Sequence, residues 1–188
     1  MKGKNEKMEK ILKAAIFYFS KKGYDRATID EIARKSGVSK GTVFFYFKKK
    51  EKLIEKISLL SVPLDQIYEI NQRNYSNPKD ILKDFGLLFL NKYNDPNMRN
   101  LLIMTMAFKN RYTNIEKALE TLCFQEMDKM FNRVENLYGK EIPFTMRRAF
   151  FGALMCYVIW WNKNIMGPSE YVEKLVDQIL YNVKVSRE

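Results

Sequence analysis

Residues 28–53 read Thr28-Ile-Asp-Glu-Ile-Ala-Arg-Lys-Ser-Gly37-Val-Ser-Lys-Gly-Thr-Val-Phe-Phe-Tyr-Phe47-Lys-Lys-Lys-Glu-Lys-Leu53, and their order specifies two short helices around a tight turn. Thr28 and Glu31 form a capping box, in which hydroxyl and carboxylate satisfy free amides at a helix N-terminus. Ile29, Ile32 and Ala33 fall on one face at helical spacing. Gly37 ends that helix because it accepts a left-handed backbone. Ser39 caps the next helix, and Val38, Val43 and Phe47 point inward. Lys40, Gly41, Thr42, Phe45 and Tyr46 are left outward, and Lys50 opens a further basic helix. This is the layout of a helix-turn-helix, whose second helix is shaped for a DNA major groove.

Working outward, the run Ile-Ala-x-x-x-Gly-Val-Ser-x-Gly-Thr-Val-Phe-x-Tyr-Phe-x-x-Lys-x-x-Leu resembles the signature of TetR-type transcriptional regulators, over about Ile11 to Leu53. Beyond Leu53 only the length and the helical pattern are similar. The resemblance implies a homodimer in which the last two helices of each subunit pair. It also marks one departure: similar sequences carry tyrosine where this chain has Phe44, which cannot donate to a DNA backbone.

Charge patterning agrees independently of the motif. The chain's net charge is +11, from 33 Lys and Arg against 22 Asp and Glu. Residues 1–56 hold 16 of the basic and 7 of the acidic residues, leaving 17 and 15 for the rest. The basic excess therefore lies with the motif, as binding to phosphate requires. A generically basic surface would show no such concentration.

The remaining pattern predicts an all-α fold of about nine helices: a three-helix DNA-binding domain at 1–50, then a larger helical ligand-binding and dimerisation domain at 51–188. Met8, Ile11, Leu12, Ala15, Ile16 and Phe19 line the first helix, closed at Gly23. A fourth helix runs from Lys50 to about Ser61, where Pro63 imposes a kink or break, and with no flexible linker it is expected to belong to both domains. Pro78 opens the next helix and Asp95-Pro96 another. One long helix is expected from Thr113 to Tyr138, one from Pro143 to Met166, and a last from Glu170 to Val185. No sustained period-two alternation points to strands.

The opening Met-Lys-Gly-Lys-Asn-Glu-Lys has no apolar signal core, and the longest apolar run, Ala149 to Trp161, falls short of the ~20 residues that span a bilayer. A cytoplasmic protein without membrane association is expected. Cys123 and Cys156 lie in apolar stretches and read as reduced core residues, with a redox trigger as the alternative. The chain has no histidine. With no Ser-His or Cys-His pair, metal-ligand cluster or Gly-rich phosphate loop, neither an enzyme nor a bound cofactor or metal is expected.

Candidate contacts to double-stranded DNA divide by chemistry. Thr28, Ser39, Tyr46 and Lys50 suit phosphate, although capping accounts equally for Thr28 and Ser39. Lys40, Thr42 and Phe45 suit base edges, lysine for guanine acceptors and the other two for a thymine methyl. Gly41 permits close backbone approach. Lys2, Lys4 and Lys7 form either an arm along DNA or a solvated terminus. Ala149, Gly152, Ala153 and Cys156 set small side chains along one face, with Trp160 beside them. This is a candidate homodimer interface or, alternatively, the monomer's central helix. Phe85, Phe89, Met104, Phe108, Phe124, Tyr157 and Trp161 are candidates to line a pocket for an apolar or aromatic small-molecule effector, ordinary core being the competing account. The function these readings imply is that of an effector-released repressor on a palindromic operator. The alternatives are a ligand-independent architectural DNA binder and a redox-sensing repressor using Cys123 and Cys156.

Overall fold

A computed structural model describes residues 2–160 and 165–185. Among these, eleven α-helices follow one another without a strand: α1 Lys2–Arg26, α2 Ile29–Ser36, α3 Lys40–Phe47, α4 Lys50–Ser61, α5 Leu64–Gln72, α6 Pro78–Lys92, α7 Pro96–Phe108, α8 Thr113–Ala118, α9 Gln125–Tyr138, α10 Phe144–Trp160 and α11 Pro168–Val185. The fold is all-α. None of the described helices is long and apolar enough to cross a membrane.

Two departures from the expected elements have local causes. α5, which is not among the expected helices, buries Ile67 and Ile70 and starts where Pro63 breaks the chain, with Val62 extended at φ −84°, ψ 160°. The expected helix from Thr113 to Tyr138 is interrupted by a π-helical stretch, Leu119–Phe124. Widening the turn there shifts the phase of the apolar positions on either side of it.

The chain forms two compact units, residues 1–62 with 95–118, and residues 63–94 with 119–188. These units do not divide at residue 50. α4 packs on α1, α7 and α8 within the first unit, and does not straddle both. In the first unit Ile11, Ala15, Phe19, Ile32, Leu53, Ile57 and Leu101 are fully buried, so the core seals the back of the motif.

A buried hydroxyl cluster ties three helices of that unit together. The Tyr24 hydroxyl lies 2.9 Å from Ser58 Oγ and 3.0 Å from Thr105 Oγ1. Thr105 Oγ1 is 2.9 Å from Ser61 Oγ, which donates to the Ser58 carbonyl at 2.8 Å. Burial raises the Tyr24 pKa, so the phenol keeps its proton. Further ties run from Ser20 Oγ to Asn97 Oδ1 at 2.8 Å and from Arg111 to Asp25 at 2.8 Å. α1 continues to Arg26 across a break at Gly23 (φ 80°, ψ 167°), a conformation suited to glycine.

The second unit packs α5, α6, α9, α10 and α11 around aromatic rings. Phe85 meets Phe89, Phe150 and Phe151 at centroid distances of 5.9, 6.2 and 5.2 Å. Gly86 sets how closely α6 and α11 approach, because a Cβ there would lie 2.7 Å from Val172 Cγ1. That contact gave no signal in sequence.

Candidate nucleic-acid interface

The capping box forms as expected. Thr28 N donates to Glu31 Oε2 at 3.0 Å and Glu31 N donates to Thr28 Oγ1 at 3.2 Å. An ion pair to Lys22, then the bond from the Thr28 amide, lowers the Glu31 pKa to about 2. α2 ends at Gly37 with φ 68°, ψ 28°, whose N–H reaches Ala33 and Arg34 carbonyls. Ser39 then caps α3 by accepting from Thr42 N at 3.1 Å. Only Val43 and Phe47 of α3 are buried. Two anchors thus hold an eight-residue helix and leave its opposite face to solvent.

On that face Phe45 is 70% exposed, edge-on to Tyr46 at 5.4 Å, and Phe44 is 37% exposed. Several polar candidates have partners within the chain. Lys40 Nζ reaches Asp30 at 2.9 Å, Thr42 Oγ1 shares a bond with Ser39 Oγ at 2.9 Å, and Lys50 Nζ donates to the Asp25 carbonyl at 3.1 Å. The Lys40–Asp30 pair is exposed on both sides and is worth little, about 0–1 kcal/mol. Thr28 also donates its hydroxyl proton to Glu31 at 3.1 Å, so a phosphate must compete with Glu31 for it. All eight candidates, Thr28, Ser39, Lys40, Gly41, Thr42, Phe45, Tyr46 and Lys50, lie on or beside α2, α3 and the start of α4.

Sequence reasoning missed two features here. Lys48 holds φ 53°, ψ −44°, with Lys49 N donating to the Phe47 carbonyl, a γ-turn that ends α3 and starts α4. A lysine in that conformation is strained, and nothing in the Lys-Lys-Lys run marks which residue bears it. Second, Lys7 stands on α1 and not on a flexible arm, and it lines a cleft with Lys10, Lys13 and Lys35. The i, i+3 spacing of Lys7, Lys10 and Lys13 was the available signal. The side chains of Lys2 and Lys4 lie outside the described residues.

The candidate effector residues are not brought together. Met104 and Phe108 belong to the first unit and pack against the core behind the motif. Phe85 and Phe89, 0% and 1% exposed, are filled in by neighbouring rings. Phe124 is 38% exposed under the Arg148 guanidinium, 4.2 Å away, and Tyr157 donates to the Met166 carbonyl at 2.7 Å. Trp161 lies outside the described residues. Periodicity located apolar faces but not which core each face enters. Cys123 is buried, and that burial pushes its thiol up to about 11, leaving little thiolate to oxidise at neutral pH. Cys156 is exposed.

α10 does not turn every face inward. Phe150, Leu154, Tyr157 and Val158 are buried, whereas Ala149, Gly152 and Cys156 are exposed beside Ile159 (51%) and Trp160 (77%). Ala153 is half-buried, and its carbonyl accepts from the Tyr171 hydroxyl at 2.8 Å. A Cβ at Gly152 would meet nothing within 4 Å.

A capped helix-turn-helix on a sealed three-helix core, with a polar and aromatic helix face held outward, defines a DNA-binding module of the bacterial regulator type. Residues 11–57 match the family of bacterial regulatory proteins described as tetR. Over 93 residues the chain is 40% identical to YvdT, an HTH-type transcriptional regulator of Bacillus subtilis (strain 168), covering 47% of this chain and 48% of YvdT. It is 31% identical over 83 residues to IcaR of Staphylococcus aureus (strain Newman), the negative transcriptional regulator of the biofilm operon icaADBC, covering 44% and 45%. The match thus spans half or less of the length of these relatives. The solved TetR-family regulator PfmR of Thermus thermophilus has the same fold at a TM-score of 0.70 and 20% identity, covering 91% of this chain and 97% of PfmR. Residues 11–57 thus carry a tetR-type helix-turn-helix, and the chain as a whole has the fold of a solved TetR-family regulator.

Proposed function

We propose that this chain is a homodimeric repressor that binds a palindromic operator in double-stranded DNA and is released by a small effector with an apolar or aromatic body. The observation that carries the reading is the outward face of α3. Val43 and Phe47 suffice to hold the helix, while Phe45 stays 70% exposed between Thr42 and Tyr46. A ring so exposed buries little of its apolar area within the chain, whereas a thymine methyl would cover more of it.

The exposed small-residue face of α10 supports the dimer, since Ala149, Gly152 and Cys156 let a second helix approach closely without displacing side chains. The apolar effector is assigned to the second unit, where closely packed rings such as Phe85 and Phe89 would have to part to admit it, and where polar groups are also buried. Lys92 is only 9% exposed, with its pKa lowered by burial against a pairing with Asp65, and Gln66 Oε1 and Asn71 Oδ1 are buried without a partner among the described residues. An effector read there would carry a polar substituent. The chain passes between its units at Val62–Pro63, Asn94–Asp95 and Ala118–Leu119, and Pro63 at the first of these is the proposed hinge.

Selecting bound duplexes from a random library, then footprinting them, tests the reading. Two inverted half-sites with centres about 34–36 Å apart are expected. Protection without sequence preference would overturn it in favour of an architectural DNA binder. An effector found by screening against that complex should weaken operator binding by about 5- to 150-fold, and the operator must weaken effector binding by the same factor.

A further inference from the structure

The cleft beside the turn of the motif has no role in the contacts described so far. It has a volume of about 510 Å³ and is lined by Lys7, Lys10 and Lys13 of α1, by Lys35, Ser36 and Gly37 at the end of α2, and by Ala14 and Val38. Four lysines and no carboxylate form its walls. Glu6 stands at its edge, paired with Lys10 at 2.7 Å, and both side chains are more than half exposed. A solvated pair of this kind yields readily to a stronger anion. Lys35 is positioned, its ammonium held 3.9 Å from the Phe17 ring centroid.

We propose that this cleft holds the sugar-phosphate backbone of the DNA flanking each half-site. The inference rests on the reading of α3 as a recognition helix and extends the contact beyond it. Position argues for DNA over a small free anion. Val38 lines the cleft, and the next residue, Ser39, caps the N-terminus of α3. The basic walls are therefore continuous with the surface that enters the groove. Spacing argues the same way: Lys7 to Lys13 spans about 9 Å of helix, the length of two to three nucleotides at about 3.4 Å each along the duplex axis. A row of ammonium groups of that length suits a polyanionic strand and exceeds what a single phosphate needs.

The test compares the wild-type chain with a Lys7→Gln, Lys10→Gln, Lys13→Gln triple variant. These three side chains are exposed, so the helix survives and circular dichroism confirms it. Each protein is titrated over a range of salt against a library-selected operator duplex, once trimmed to the half-sites and once extended by about one helical turn at each end, about 10 base pairs. Wild-type protein should bind the extended duplex more tightly, and its log–log salt slope should be steeper by about 2–3 than that of the triple variant. The triple variant should lose the benefit of the flanks and keep its sequence preference. Lys35→Gln alone should reproduce part of the loss. Equal slopes and equal flank dependence in wild type and variant would overturn the assignment of the cleft while leaving α3 as the recognition helix. Failure of the wild-type chain to hold any duplex would overturn both.

Discussion

The faces of α3 and α10 both expose large apolar side chains, yet the groups around those side chains differ in kind. On α3 the exposed Phe45 stands among hydroxyls and amines: Thr42, Ser39, Lys40 and, past the γ-turn, Lys50. Along α10 the exposed Ile159 and Trp160 continue a strip of Ala149, Gly152 and Cys156 with no charge on those five positions. An apolar ring surrounded by donors fits a polyanion that also offers methyl groups. A smooth uncharged strip fits another helix, and a second copy of this chain presents one. The lesson is that exposed apolar area alone does not identify a partner; the polar groups around it do.

The sharpest way to break this contrast is a charge on the smooth face. Gly152→Glu meets open space in the single chain, so the folded monomer should tolerate it. In a dimer it would bury an unpaired carboxylate at a cost of about 3–5 kcal/mol. Sedimentation should show monomers that stay helical by circular dichroism, and operator affinity should fall at least ~100-fold, as that cost implies. A variant that stays dimeric would remove α10 from the interface.

A smaller effect, confined to the other face, is expected of Phe45→Ala. Losing apolar contact with a base should cost about 1–3 kcal/mol of operator affinity and relax preference at one or two positions in each half-site. Thermal stability and dimerisation should be unaffected. If the variant melts markedly lower, Phe45 belongs to the fold and the comparison with α10 collapses.

The smallest effect concerns the cap that aims α2. Glu31 has a pKa depressed to about 2 in the folded chain, from an ordinary 4.5. Its contribution to stability is therefore full above 4.5 and is lost as pH falls toward 2. Glu31→Gln should narrow its stability gap to wild type across that window and keep it constant at higher pH. A gap that does not change between pH 5 and about 2 would mean that the carboxylate charge does not matter to the cap.

The motif was legible because its signals are local. Thr28 with Glu31, Gly37, and Ser39 with Thr42 each act within four residues, so spacing alone specifies them. The small-residue strip on α10 was equally local, but nothing in its spacing decided between an exposed face and the monomer's central helix. What escaped was long-range. Phe85 and Met104 look alike in sequence, both apolar on amphipathic helices, but they enter different cores through contacts that no periodicity encodes. The Gly86–Val172 approach joins positions far apart in the chain, and no marker residue announces the π-helical stretch at Leu119–Phe124, which packs on α5.

The hydroxyl cluster behind the motif has a direction. Ser61 spends its only hydroxyl proton on the Ser58 carbonyl, so it must accept from Thr105. Thr105, its proton so used, must accept from Tyr24, and Tyr24 must in turn accept from Ser58. The protons therefore run one way, from Ser58 through Tyr24 and Thr105 to Ser61, and return to the main chain of the residue where they began. A one-way relay is asymmetric toward damage. Ser58→Ala removes its head and leaves only an acceptor short of a partner. Thr105→Val cuts its middle and strands the buried Tyr24 O–H, a loss of about 1–3 kcal/mol. Thr105 is fully buried on α7, outside the helix-turn-helix. The order of four protons thus makes a distant helix a condition for holding α1 and α4, and so α3 between them, in place.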